Sequence, residues 1–243
     1  MSSRARAALE PATVHLFCSD SREIDADVQS RYLLADDFAW LPAIARTARR
    51  AQYLAGRALL RFALQRCTGL ATTAQQLRTA PGGKTECVGG PAISVAHDGH
   101  FVVCAIAEHA AVGVDVQASS NRRSTEAIAE QHFCRAEIEW LRDSAPERFY
   151  MLWVLKEAYL KAMGVGLGGG LDALECRVDP PLIYARPTRP NPPASLALYR
   201  YGGAYLGVAA LDSRRLHVRL ERWHPQAPQQ ATFGVPELVA STS

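Results

Sequence analysis

Hydrophobic and polar positions change period several times along the chain, and each change marks an element. Thr13-Val14-His15-Leu16-Phe17 alternates and is rich in β-formers, which predicts a short first strand. From Pro42 to Leu70 the apolar residues Ile44, Ala48, Ala51, Ala55, Leu59 and Phe62 recur at helical spacing, and Gly69 supplies a stop. Three strand-like runs follow closely, Ala92–His97, Phe101–Ala107 and Val112–Gln117. Asp98-Gly99 signals a hairpin between the first two, and Glu108–Ala111 can turn the chain again, so an antiparallel meander is predicted. Apolar positions from Ala127 to Leu141 then suggest two short helices interrupted near Cys134-Arg135-Ala136-Glu137. A longer helix runs from about Pro146 to Met163 and stops at the flexible, glycine-rich stretch Gly164–Gly170. Leu171–Val178 reads as a strand and the prolines from Pro180 to Pro193 as a long loop. Ser195–Tyr201, Ala204–Leu211 and Leu216–Trp223 read as a second meander. Each half therefore shows helix followed by antiparallel strands, an α+β pattern with no repeat visible in the sequence itself. The expected division is an N-terminal half at 1–117, a linker and C-terminal half at 118–224, and a mobile tail at 225–243 rich in Pro, Gln, Ser and Thr.

Composition narrows the class without naming a function. With 243 residues, 48% apolar and 21% charged, the chain is globular and can bury a core of ordinary size. The net charge is +3, and arginines crowd the first third (Arg46, Arg49, Arg50, Arg57, Arg61, Arg66). That bias suits a phosphorylated ligand or an acidic protein partner better than a nucleic acid duplex, which calls for denser basic clusters. The six cysteines are scattered, with no C-x-x-C and no histidine pair at ligand spacing, which argues against zinc and disulfide frameworks. No apolar run approaches the roughly 20 residues of a membrane helix, and a cytoplasmic protein is expected.

Candidate chemistry sits in a few places. On the 146–163 helix, Trp153, Glu157 and Lys161 stack at i, i+4 and i+8, so an aromatic, a carboxylate and an ammonium share one stripe. A surface ion pair of about 0.2–0.5 kcal/mol would explain Glu157 and Lys161 equally well. In Val112–Gln117, period two puts Asp115 and Gln117 on one face. A carboxylate among valines is costly without a partner, so Asp115 wants a cation: a metal, an arginine, or the next turn to cap. Arg57 and Arg61 share a helix face, either as solvated surface or as a fork for phosphate oxygens. Lys84 lies in a Pro-Gly-Gly-Lys-Thr loop without P-loop spacing. Glu137 reads as a first-turn acid facing the helix dipole.

Taken together these motifs resemble the 4′-phosphopantetheinyl transferases of the larger, monomeric, surfactin-synthetase-activating type. Gly113-Val114-Asp115-Val116-Gln117 is similar to the family's G-[VI]-D-[VI]-E, and Trp153–Lys161 matches its W-x-x-K-E-A-x-x-K throughout. Gly56-Arg57-Ala58-Leu59-Leu60-Arg61, Gly83-Lys84, His97-Asp98-Gly99 and Phe133-Cys134-Arg135-Ala136-Glu137 resemble four further family motifs, in the family's order. The resemblance implies two similar α+β halves related by a pseudo-twofold axis, with coenzyme A between them. It also implies transfer of phosphopantetheine to a serine of an apo acyl or peptidyl carrier protein of polyketide, nonribosomal peptide or fatty acid synthesis, releasing 3′,5′-ADP. By that analogy Asp115, Glu157 and Gln117 hold Mg²⁺, with Mn²⁺ as a substitute. Lys156 and Lys161 contact the pyrophosphate, while Arg57, Arg61, Lys84 and His97 serve the 3′-phosphoadenosine end. Glu137 is the expected general base, with Glu157 acting through a water as the other candidate. The carrier is expected to dock near Arg122, Arg123, Phe133 and Arg135.

Three positions depart from the family pattern. Gln117 stands where a third acid is expected, Ala96 where a serine precedes the histidine, and Thr85 where a proline follows the loop lysine. A missing carboxylate lowers cation affinity, although an amide oxygen can still ligate. Rival readings are a catalytically impaired coenzyme A- or carrier-binding protein of the same fold, or a basic interaction module.

Overall fold

The computed structural model describes residues 11–71, 73, 76–79, 84–119, 125–142, 145–188, 190–225 and 236–242. In order, its strands and helices are β1 (Ala12–Asp20), α1 (Ala26–Tyr32), α2 (Ala35–Phe38), α3 (Thr47–Thr68), β2 (Leu77–Thr79), β3 (Thr85–Cys87), β4 (Ala92–Asp98), β5 (Phe101–Ala107) and β6 (Val112–Ala118). There follow α4 (Thr125–His132), α5 (Arg135–Leu141), α6 (Glu147–Met163), β7 (Leu174–Asp179), β8 (Leu182–Pro187), β9 (Ala194–Tyr201), β10 (Ala204–Leu211), β11 (Leu216–Arg222) and β12 (Glu237–Ser241). Gly69 and Gly164 end α3 and α6 in the left-handed region, at φ 71° and 75°, where a Cβ would be strained.

Alternation along the strands builds four layers. On β5, Val103 and Ala105 join Val14, Leu16, Val114, Leu206 and Val208 in a core between two sheets. The intervening Val102, Cys104 and Ile106 face the other way, onto Ala58, Leu59 and Leu60 of α3. A third core packs Val154, Leu155 and Ala158 of α6 against Leu198 and Ala209 on the outer face of the second sheet. The order is thus helix, sheet, sheet, helix, an α+β architecture.

The sheets correct the expected meanders. One sheet has the order β11-β1-β5-β4, the other β6-β10-β9-β12-β8-β7. β4 and β5 pair antiparallel as expected, but β6 leaves them and pairs with β10. Reciprocally, β9 and β10 form a hairpin, while β11 leaves them and lies parallel to β1. A strand has two edges: β1 and β4 occupy both of β5's, and β6 and β9 both of β10's, so each third strand must cross. The expected 117/118 boundary falls within β6, a strand of the second sheet, and so does not follow the division between the two sheets.

Two loop expectations are also corrected. The proline-rich 180–193 stretch contains β8, which pairs antiparallel with β7. In the tail, Glu237–Ser241 is a strand inserted between β9 and β8, where Ala240 is fully buried. Apolar Leu238, Val239 and Ala240 give that segment the strand character that the tail's overall composition hides. All six cysteines are free thiols; Cys18, Cys104 and Cys176 are buried, while Cys67, Cys87 and Cys134 are partly exposed.

Candidate active site

The site begins with two glycines. A Cβ on Gly113 of β6 would lie 1.9 Å from the Ala158 carbonyl oxygen, and one on Gly207 of β10 would lie 2.5 Å from that of Val154. Both are therefore places where α6 rests directly on the backbone of the sheet, closer than any side chain permits. Gly207 is also the cross-strand partner of Asp115. The consequence is that the Glu157–Lys161 face of α6 lies over the Asp115 end of β6.

There Lys161 Nζ donates to Asp115 Oδ1 at 2.6 Å and to the Val114 carbonyl at 3.2 Å. The i, i+4 neighbours on α6 thus do not form a surface pair; Lys161 reaches across to the strand. Asp115 and Glu157 are both buried, 8% and 9% exposed. Burial pushes the Asp115 carboxyl above its ordinary value; Lys161 opposes this and the Asp98 charge adds to it. Burial, followed by repulsion from Asp115, pushes Glu157 up to about 7, against the pull of Lys161. Two buried acids, the second raised by the first, form a site short of positive charge.

Glu157 and Lys161 line a cleft of about 210 Å³ together with Lys84, Ser94, Gly164 and Gly166. Lys84 Nζ sits against Gly164, 3.6 Å from where a Cβ would be, so the helix-ending glycine leaves room for the lysine. His97 lies behind on β4, its Nδ1 2.7 Å from Arg49 Nη1. Arginine only donates, so the imidazole nitrogen accepts. Burial, then the Arg49 and Lys161 charges, lowers His97 to about 4 and keeps it neutral at physiological pH.

The residues fit a hard divalent cation. Asp115 and Glu157 are oxygen donors in one buried, charge-deficient spot, and Gln117 donates from Nε2 to Asp98 Oδ2 at 2.6 Å, which leaves Oε1 as its remaining ligand atom. Among the described residues no group of three His, Cys, Asp or Glu side chains is arranged around a metal position. The candidate set is accordingly two carboxylates and an amide.

Other expected site residues lie elsewhere. Lys156 and Glu137 are buried at 1% and 2% exposure and pair at 2.7 Å. Lys156 also donates to the carbonyls of Leu171 (2.8 Å) and Leu174, while Glu137 accepts from the backbone N–H of Cys134 (2.9 Å) and Cys176 (2.8 Å). Four bonds to neighbouring segments make this a structural bolt joining α5, α6 and β7, which corrects both the pyrophosphate role expected of Lys156 and the base role of Glu137. Arg57 and Arg61 turn inward as well: their Nε atoms each donate to Asp37 at 2.6 Å, and both are buried. Asp37, fully buried on the four-residue α2, is held below its ordinary value by Arg61, the Leu34 N–H and Arg57, which together outweigh its burial. The arginine pair therefore anchors α2 to α3 and does not form an open phosphate fork. Phe133 is buried and stacked on Phe149, so it is not a docking residue, whereas Arg135 is exposed and paired with Glu139 at 3.0 Å. Arg122 and Arg123 lie outside the described residues.

Sequence reasoning missed three contributors: Asp37, Arg49, and Ser94, whose Oγ accepts the Val114 N–H at 3.0 Å. An isolated acid in a four-residue helix and a serine in an apolar strand carry no periodic signal. A larger groove of about 770 Å³ beside Trp140, Arg177 and Tyr184 is lined also by Glu137 and Glu175 and contains none of the cleft residues.

Residues 111–199 match the 4′-phosphopantetheinyl transferase superfamily. The chain is 32% identical over 129 residues to slr0495 of Synechocystis sp., covering 50% of this chain and 52% of that protein. It is 38% identical over 78 residues to the 4′-phosphopantetheinyl transferase gsp of Aneurinibacillus migulanus, covering 30% and 32%. The chain thus spans about half the length of the first relative and about a third of the second. A crystal structure of Thermotoga maritima holo-[acyl-carrier-protein] synthase is similar over 43% of this chain and 64% of that one, with 23% identity and a TM-score of 0.37.

Proposed function

We propose that this chain transfers 4′-phosphopantetheine from coenzyme A to a serine hydroxyl of an apo acyl or peptidyl carrier protein, as an enzyme of the larger, surfactin-synthetase-activating type. The observation that carries the reading is the buried Asp115–Glu157 pair held by Lys161, with Glu157 and Lys161 lining a cleft, together with the superfamily match over residues 111–199. The serine Oγ forms a bond to the β-phosphorus, the P–O bond to 3′,5′-ADP breaks, and the serine proton leaves to a base. Asp115, Glu157 and Gln117 Oε1 would hold Mg²⁺, or Mn²⁺ in its place, which supplies neutralisation of pyrophosphate charge.

The chain's own residues supply the rest. Lys161 and Lys84, both lining the cleft, bind phosphate oxygens as point charges. Neutral His97 offers the imidazole nitrogen not engaged by Arg49 to the nucleotide end. Glu157 is the acid that lines the cleft, so the serine proton passes to one of its oxygens through a water; Glu137, held by Lys156, is not placed for this. Burial of the acids and the close seat of α6 on Gly113 keep this geometry rigid. We further place the protein as a monomer in the cytoplasm; among the described residues no helix is long and apolar enough to cross a membrane.

Incubation with coenzyme A, Mg²⁺ and an apo-carrier should add the phosphopantetheine mass to the carrier, and Lys161→Ala should reduce kcat/KM by at least about 100-fold, the scale of losing one charge-stabilising contact. No mass shift with acyl and peptidyl carriers from all three synthase types would overturn the reading and leave the binding-protein alternative.

A further inference from the structure

The acid expected at position 117 is absent, and its surroundings show where the charge has gone. β4 is the edge strand of one sheet and β6 the edge strand of the other. The two edges meet through side chains: Ser94 Oγ accepts the Val114 N–H at 3.0 Å, and four residues on, Asp98 Oδ2 accepts the Ala118 N–H at 2.9 Å. The same Asp98 oxygen accepts Gln117 Nε2 at 2.6 Å. An amide can make that contact because it donates; a glutamate at 117 would set two carboxylates against each other.

We propose that Asp98 is a positioning residue for the divalent-cation site, supplying from β4 the negative charge that Gln117 lacks and fixing the Gln117 amide so that Oε1 is the atom left for the cation. This deepens the proposed function and rests on Asp115 and Glu157 being cation ligands. The third charge has moved to the neighbouring strand, where it acts through Gln117 and not by touching the ion. Groups that orient a ligand in this way commonly change metal affinity by about 10–100-fold when removed.

Charge exchange tests this directly. Mn²⁺ binding, followed by calorimetry and by the paramagnetic resonance of free Mn²⁺, would be compared in the whole protein and in Asp98→Asn, Gln117→Glu and the double variant. Asparagine keeps an oxygen for the Ala118 N–H, so thermal melts in EDTA should show Asp98→Asn folded. The expected result is at least about tenfold weaker Mn²⁺ binding in Asp98→Asn, no tightening in Gln117→Glu alone, and near-native affinity in the double variant, where the acid and amide have traded places. Unchanged affinity in Asp98→Asn, or tighter binding by Gln117→Glu alone, would reduce Asp98 to a clip between sheet edges and overturn the proposal. If the unaltered protein binds no Mn²⁺, the cation reading of Asp115 and Glu157 falls with it.

Discussion

Replacing Glu157 by Gln probes how much the buried acid pair costs the metal-free protein. Glu157 rises from 4.5 to about 7 because it is buried and faces Asp115. A carboxyl raised on folding favours the native state only while protonated: the stability is fully present below pH 4.5 and is lost as pH rises towards 7. Each pH unit across that window is worth about 1.36 kcal/mol, which gives roughly 3 kcal/mol, trimmed to about 2–3 because the cleft is open to water. Gln resembles the protonated acid in shape, so Glu157→Gln should match the wild type in stability near pH 4.5 and exceed it at pH 8. For a chain of this size about 2–3 kcal/mol corresponds to a Tm difference of roughly 5–10 °C. The assay is a series of melts in EDTA from pH 4.5 to 8.5, read as variant minus wild type so that all other titrating groups cancel. A difference that stays constant across the series would refute the like-charge argument. Added Mg²⁺ should close the gap at pH 8 by stabilising the wild type.

Three further outcomes are expected from the packing. Gly113→Ala would force a methyl to 1.9 Å from the Ala158 carbonyl, so helix and sheet must part; a loss of about 3 kcal/mol or more in urea unfolding is expected, with weakened Mn²⁺ binding. Lys156→Met leaves Glu137 buried and unpaired and should cost about 3–5 kcal/mol, with Lys156→Met/Glu137→Gln recovering part of it in the same assay. Asp37→Asn strips two buried arginines of their counter-charge and should cost a similar amount by thermal denaturation; no change would mean the guanidinium groups find water or another acceptor.

Much of the cleft was legible because its residues fall in local patterns. Glu157 and Lys161 share a stripe by helical period, and Asp115 sits where an apolar strand can ill afford a charge. Lys156 shows the limit of motif adjacency. It follows Leu155 and precedes Glu157, so about 100° of helix rotation separates it from the cleft face, and the structure turns it into the core with Glu137. Arg57 and Arg61 were readable as a pair, but their partner Asp37 is 20 and 24 positions earlier in a helix too short for periodicity to reveal. The strands were visible one by one from alternation. Their partners were not, because alternation describes the faces of a strand while pairing is decided by which edges remain open.

The exchanged third strands have a consequence for synthesis of the protein. β1 is made well before its neighbour β11, which lies along it residue for residue from Ala12↔Leu216 to Cys18↔Arg222 and follows about 200 residues later. Until then the first sheet carries an unsatisfied parallel edge, and β6 waits with its own edge open for β10. Neither half can finish as a separate unit during translation, so the nascent chain depends on closures of high sequence separation, which are slow and leave edges exposed to other chains.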